Sequence, residues 1–416
     1  MKIKKDLLLL CFFILLFIVI RSINFVDFLN FSSDQAGCSI RALNLLETKK
    51  LSLIGVEMSF KFNGRYLFHG PLGCGISYLP FLILGGFDPL RSSYVVMLFG
   101  SLAIIPFYFG TKWLISKKAA LFMLVIYTLF PLYIDSTRFL WDPNFQFIML
   151  SLLILLMGLY KKKKKGILFF VVSLSAGILL QFHYGIAAGI LALIIYYFFI
   201  TKEGWKKFSI FILGIALGFF PLIIFELRHN FYNLRTLWLF IQHYDVVFLN
   251  KGHFPTPAHY FLIPTFFLFL AVSSLIKKWL NNYRLLLIFL VMFVWSSILY
   301  VPKPQYPYSE GGKLSWKYSD EKKVHQIISS QNLTDFNVTA LFYDNKAAVQ
   351  KYFLKRDKIS GDFEDYYKNK YLFVINDNNN FQKYLAYEVK TFSPAKILKS
   401  WKINQKYSLY LLKRER

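Results

Sequence analysis

Hydrophobic residues along this chain gather in discrete runs, at about 6–23, 71–87, 92–113, 119–135, 145–160, 166–182, 185–200, 208–226, 259–276 and 283–301. A membrane-crossing helix needs ~17–25 mostly apolar residues, so each run is a candidate span. The polar segments between them differ in kind. Lys117-Lys118, Lys161 to Lys165, Lys202/Lys206/Lys207 and Lys277/Lys278/Arg284 form short basic loops, and Lys2, Lys4 and Lys5 precede the first run. Excess Lys and Arg marks the cytoplasmic side, so all of these belong inside. Trp113, Trp205 and Trp279 stand at the same ends, as interfacial belt residues do.

If every run crossed, Lys161–Lys165 would face outward. Reading 71–87 as an interfacial or re-entrant helix restores the pattern. That run is short and broken by Pro71, Gly73, Gly75, Pro80, Gly85 and Gly86. Non-helical backbone at that depth is tolerated only against protein or water. The pattern therefore predicts an α-helical polytopic membrane module over 1–301, with about nine transmembrane helices and the N-terminus inside. Its outer segments are 24–91, 136–144, 183–184 and 227–258. Met1-Lys-Ile-Lys-Lys and the apolar Leu7–Ile20 mimic a signal peptide, but no small-residue cleavage site follows, so an uncleaved first span is expected.

Residues 302–416 change in character and predict a small α/β domain outside the membrane. Asp320–Gln331 reads as a helix. Val338–Tyr343, Tyr371–Asn376 and Tyr407–Leu412 read as strands by their β-branched and aromatic content. Asp377-Asn-Asn after the second strand is faintly similar to a nucleotide-sugar metal motif, but the domain is too short to hold a nucleotide-binding half as well.

Composition strengthens the membrane reading. Hydrophobic residues make up 56% of the chain, against ~45–50% in a soluble domain, and the mean hydropathy is +0.43. A net charge of +26 would point to nucleic acid in a soluble protein. Here the lysines occupy loops beside anionic headgroups, and nucleic acid is excluded as a partner. Of three cysteines, Cys11 lies in the first run. Cys38 and Cys74 share one loop and could pair if it faces an oxidising space, although two cysteines make no framework. No Cys/His cluster has zinc spacing.

Polar groups beside membrane spans are functional candidates, and they concentrate in the outer segments. Phe31-Ser-Ser-Asp-Gln-Ala-Gly carries a capping box, with Ser32 as N-cap and Gln35 three residues on. It predicts a helix from about Ser33 to Lys49 with Asp34 in its first turn, where a carboxylate also simply stabilises the helix start. Phe68-His-Gly-Pro places His69 before a forced turn at headgroup level. Arg138-Phe-Leu-Trp-Asp-Pro-Asn144 packs a cation, a carboxylate, an aromatic ring and an amide into one short loop. Gln181-Phe-His-Tyr184 is a very short outer turn. Phe225-Glu-Leu-Arg-His-Asn-Phe-Tyr-Asn-Leu-Arg235 offers two arginines and a histidine, suited to a lipid phosphate or to plain headgroup contact.

In this order the segments resemble the phospholipid-carrier-dependent glycosyltransferases of the GT-C fold, a superfamily that includes protein O-mannosyltransferases and lipid A aminoarabinose transferases. The resemblance covers about residues 1–300; the tail matches no named family. In those enzymes an Asp-Glu pair opens the first outer loop and its Asp is the catalytic carboxylate. Asp34 holds that position, and Gln35 replaces the Glu, as in one branch of prokaryotic members. The replacement bears on any role the Glu has in metal or acceptor binding.

The resemblance implies an inverting sugar transfer on the outer face of a prokaryotic plasma membrane. A polyprenyl-phosphate sugar places its tail among the spans. Asp34 takes the proton of an acceptor hydroxyl on a lipid, glycan or protein. The departing phosphate needs preorganised cations, for which Arg228 is the first choice, Arg138 the second and His229 the third. Gln35, His69, Trp141, Asp142, Asn144, His183, Tyr184, Glu226 and Asn233 are the substrate-binding candidates. The scheme needs no nucleotide loop and leaves room for a divalent metal. The rival classes are a transporter or flippase, a non-catalytic assembly or sensor protein, and an oligosaccharide–lipid ligase. Transporters place charges at mid-membrane, whereas here the span interiors are nearly uncharged and the polar groups cluster on one face.

Overall fold

The computed structural model describes residues 2–26, 29–243, 258–275, 288, 291, 292, 294, 295, 316–342, 344–359, 363, 366–377 and 386–415. The expected run 283–301 and the basic Lys277/Lys278/Arg284 segment thus lie almost wholly outside the described residues. Helix α1 (Lys2–Ser22) leads into α2 (Ser33–Thr48), a hairpin of β1 (Glu57–Phe62) and β2 (Arg65–Phe68), and a π-helical turn, Leu72–Ile76. Helices α3 (Tyr78–Leu84), α4 (Pro89–Leu102), α5 (Ile104–Leu114), α6 (Lys117–Leu129), α7 (Pro131–Asp135) and α8 (Asp142–Lys163) follow. Then come α9 (Gly166–Leu180), α10 (Ala187–Ile194), α11 (Trp205–Gly218), α12 (Phe220–Arg228), α13 (Tyr232–Gln242) and α14 (Leu262–Leu275).

Among the described residues, two continuous helices, Pro89–Leu114 and Asp142–Lys163, are long and apolar enough to cross a membrane. The α11–α12 pair qualifies together, bent by 73° where Pro221 enters the first turn of α12. Leu72–Leu84, Gly166–Leu180, Tyr184–Ile200 and Leu262–Leu275 are shorter apolar helices. The 71–87 run is broken as its composition implies. Cys74 is extended and Gly75 takes φ +100°, a conformation that only glycine adopts without strain. The seven residues of α3 rise only about 10 Å, too little to cross.

The basic loops gather at one end of the bundle. Asp6 pairs with Lys112 and Lys117, each at 2.6 Å. Glu203 pairs with Lys164 at 3.0 Å and with Lys207, and it accepts a hydrogen bond from Tyr160 Oη at 2.8 Å. The Asp6 pairs tie the N-terminus to the α5–α6 turn, the Glu203 contacts tie the α8–α9 turn to the α10–α11 turn, and Lys161 Nζ joins the two sets by donating to the Leu114 carbonyl. Helix α8 runs from this end to Asp142 over 22 residues, a rise of about 33 Å. At the opposite end of α1, Arg21 is fully buried. It donates to Thr137 Oγ1 and to the carbonyls of Thr128, Tyr127 and Tyr133, at 2.5–3.2 Å. Pro131 supplies those acceptors, because the helix break between α6 and α7 leaves carbonyls without intrahelical partners.

The C-terminal sheet runs in the order β3 (Phe336–Ala340), β4 (Tyr371–Asp377), β6 (Tyr407–Arg414), β5 (Ala395–Lys402). The β3–β4 pair is parallel and the other pairs antiparallel. The helix expected over 320–331 spans Tyr318–Ser330, and the first expected strand shifts toward the N-terminus, to Phe336–Ala340. The sheet has its own core around Val338, Phe373 and Leu409. Helix Ala348–Arg356 instead joins the core of the membrane module. Its Tyr352 is buried, donates from Oη to the Phe87 carbonyl at 2.7 Å, and meets the Phe31 ring edge-on at 5.3 Å. Lys355 pairs with Glu47 of α2 at 2.9 Å. The domain is thereby clamped onto α2.

Candidate active site

The site is built around the start of α2. The Gln35 side chain reaches back to accept from the Ser32 backbone N–H at 3.0 Å, closing the capping box anticipated from sequence. This fixes the direction of the first turns, so Asp34, Cys38 and Arg41 share one helical face. All three line a cavity of about 350 Å³. Cys38 is joined to Cys74 by a disulfide, which fastens that face to the π-helical turn.

Three further segments line the cavity. His69 enters from the end of β2, Trp141 and Asp142 from the start of α8, and His183 from the turn after α9. The backbone of the π-helical turn lies directly behind Asp142; a Cβ on Gly73 would stand 3.0 Å from Asp142 Oδ2. The His69 ring also lies 5.0 Å from Tyr184, centroid to centroid. Sequence reasoning missed Arg41, Glu57, Tyr260, Asp344 and Lys346, which also line the cavity. Arg41 donates to the Gly55 carbonyl at 3.1 Å.

Other sequence candidates stand outside this lining. Tyr184 Oη donates to the Phe68 carbonyl at 2.6 Å, and Asn233 Oδ1 accepts from the Phe68 N–H at 3.0 Å. Both therefore hold the residue that precedes His69. Glu226 accepts from the backbone N–H groups of Asn233 and Leu234, at 3.1 and 3.2 Å, and so caps α13. Asn144 Nδ2 donates to the Phe139 carbonyl at 3.0 Å and shapes the Trp141 loop. Arg138 is buried, donates to the Ile23 carbonyl at 3.0 Å and lies over the Phe25 ring. Arg228 is exposed at the end of α12. His229 stacks on Phe225 at 4.4 Å, with Nδ1 2.9 Å from that residue's carbonyl.

Environment separates the titratable groups. The Asp34 side chain is exposed to the cavity, which is partly open to solvent, yet protein surrounds it on its other sides. That burial, and then the Asp344 carboxylate, raises its pKa above the ordinary aspartate value. Burial lowers His183 to about 4, so it is neutral at physiological pH, and its Nδ1 accepts from the Gly185 N–H at 3.0 Å. Among the described residues, no three His, Cys, Asp or Glu side chains gather closely enough to hold a metal ion.

No family model and no curated protein matches the chain. Solved structures do. ArnT from Cupriavidus metallidurans bound to undecaprenyl phosphate superposes with a TM-score of 0.58 at 11% identity, covering 96% of this chain and 97% of that one. The apo state of the same protein gives 0.57 at 12% identity, covering 99% and 98%. At such identity the likeness speaks for the fold, and it extends through the C-terminal domain, beyond the segments that carry the sequence resemblance. The chain is an integral membrane protein with the GT-C fold of the lipid A aminoarabinose transferase ArnT.

Proposed function

We propose that this protein is an inverting glycosyltransferase that moves a sugar from a polyprenyl-phosphate donor to an acceptor hydroxyl. The carrying observation is the cavity in which Asp34, Asp142, His69, His183 and Arg41 converge at the end of the bundle opposite the lysine-rich loops. The positive-inside rule puts that end outside the cell. Asp34 accepts the proton of the acceptor O–H as its oxygen bonds to the anomeric carbon. The bond from that carbon to the phosphate oxygen breaks on the opposite face, and polyprenyl phosphate leaves with the electron pair. Arg41 is the first choice to receive this charge, ahead of Arg228, Arg138 and His229, because of the four it lines the cavity. Trp141 offers a face for the sugar ring. His69 and the buried, neutral His183 offer hydrogen bonds to the substrate.

The test is transfer of radiolabelled sugar from polyprenyl-phosphate donors by the purified protein in liposomes. Asp34→Asn keeps the shape and the helix position but cannot take the proton. Turnover should fall ~10²–10⁴-fold, the usual range for losing a positioned base. A helix-start role alone would cost about 1 kcal/mol of stability and leave turnover nearly intact. A folded Asp34→Asn protein with near wild-type transfer removes Asp34 from the mechanism.

A further inference from the structure

We infer that the C-terminal domain completes the active-site cavity, and that Asp344 on its docking loop is a positioning residue acting on Asp34. The inference rests on the reading of Asp34 as the base. Asp344, Lys346 and Ala348 wall the same cavity as Asp34. The Asp344 carboxylate is pinned at both oxygens. Oδ1 accepts from the Lys346 N–H at 3.1 Å and Oδ2 from the Ala348 N–H at 2.8 Å, at the start of the nine-residue helix Ala348–Arg356. That helix is locked onto α2 through Tyr352, Phe31 and the Lys355–Glu47 pair. The separation of the two carboxylates is therefore set by packed helices, with both acids near helix starts and neither on a free loop.

A fixed like charge favours the protonated form of its neighbour, and here it adds to the effect of burial on Asp34. Other groups face the same space. Arg41 on α2 and Lys346 on the docking loop are of opposite charge to Asp344, Glu57 from the hairpin is of like charge, and Asp142 from α8 is the remaining carboxyl of the wall. His69, His183 and Tyr260 complete the titratable wall. A base whose pKa lies closer to the working pH is a better proton acceptor. The soluble domain thus supplies a charge that raises the basicity of a residue it does not contain. Asp344 would earn no such role if it served only to cap its own helix.

The experiment follows the protonation of Asp34 by two routes in the full-length protein in nanodiscs. One is the acid limb of kcat/KM for sugar transfer. The other is the pH midpoint of carbodiimide labelling at Asp34, read by mass spectrometry, which needs no turnover. Asp344→Asn keeps a side-chain acceptor for its helix start, and Asp344→Ser is a second capping variant in case the first fails to fold. Both midpoints should move to lower pH by a few tenths to about one unit. Unmoved midpoints in a folded variant would overturn the inference, even if transfer were lost, because they would leave Asp344 a structural cap alone. A shifted labelling midpoint in a protein that transfers no sugar would uphold the coupling of the two carboxylates and defeat the transferase reading instead.

Discussion

The imidazole of His69 stacks on that of His183, with centroids 5.1 Å apart and planes inclined by 24°. The pair joins the end of the hairpin to the turn after α9, so two segments more than a hundred residues apart in sequence meet at one wall of the cavity. Two stacked rings that both carried charge would repel, and burial keeps His183 neutral.

The burial of His183 makes stability depend on pH with a definite sign. An unfolded histidine takes up its proton near pH 6.5, whereas folded His183 resists until about 4. Its contribution is complete above pH 6.5 and is lost as pH falls toward 4, by an amount on the order of 3 kcal/mol. Thermal unfolding of the protein in nanodiscs should show a falling Tm across that window. In His183→Gln the slope should flatten. An equal slope in the variant would show that other groups carry the acid sensitivity.

Arg41→Ala should lower kcat/KM for the lipid donor about 10–100-fold, the loss expected for a charge-assisted hydrogen bond to phosphate. Arg41→Lys should recover only part of this, since an ammonium lacks the planar fork. Arg228→Ala, at an exposed helix end, should change kcat/KM less than about threefold. Steady-state kinetics on the three variants decides the matter, and the reverse order would return the phosphate to Arg228.

The Cys38–Cys74 bond fastens the face that carries Asp34 and Arg41 to the π-helical turn. Replacing both cysteines by serine should cost about 2–4 kcal/mol of stability. It should also depress transfer at temperatures where the protein is still folded. Unfolding curves and transfer rates measured side by side test this. A destabilised variant with undiminished transfer would mean that the bond staples the fold without ordering the site.

The proposed membrane sidedness rests on the ion pairs that gather the basic loops at one end. In a chain with Cys11 replaced by serine, single cysteines at Lys163 and Lys402 should react with an impermeant thiol reagent from opposite sides of sealed vesicles. Labelling of both from one side would refute the proposed orientation of the C-terminal domain.

Local chemistry made much of this architecture readable in advance. Ser32 and Gln35 announce α2 because capping is a contact within one turn, and Gly75 and Pro71 announce the broken segment because their backbone limits are intrinsic. Two local signals were passed over. Asn63-Gly64, with φ of 48° and 76°, is a hairpin turn of the most recognisable kind. Arg41 lies seven residues after Asp34, hence two turns along the same face. Strand β5 was missed because its exposed lysines, Lys396, Lys399 and Lys402, mark an edge strand rather than a half-buried one. Tyr260, Asp344 and Lys346 reach the cavity only through long-range packing, and no spacing in the chain encodes that. Conversely, Glu226, Asn233 and Tyr184 have the composition of a binding motif, but they spend their hydrogen bonds on the hairpin and on α13.

The buried Arg21 also dictates an order of assembly. Its acceptors lie 106–116 residues further along the chain, so they do not yet exist when the first helix leaves the ribosome. An unpartnered guanidinium inside hydrocarbon is too costly to persist. The nascent first helix must therefore wait with Arg21 raised to the headgroups. Its buried hydrogen bonds can form only when the helix broken at Pro131 arrives to receive it. Docking of the first helix is then completed by chain made more than a hundred residues later, so the crossings are not independent of one another.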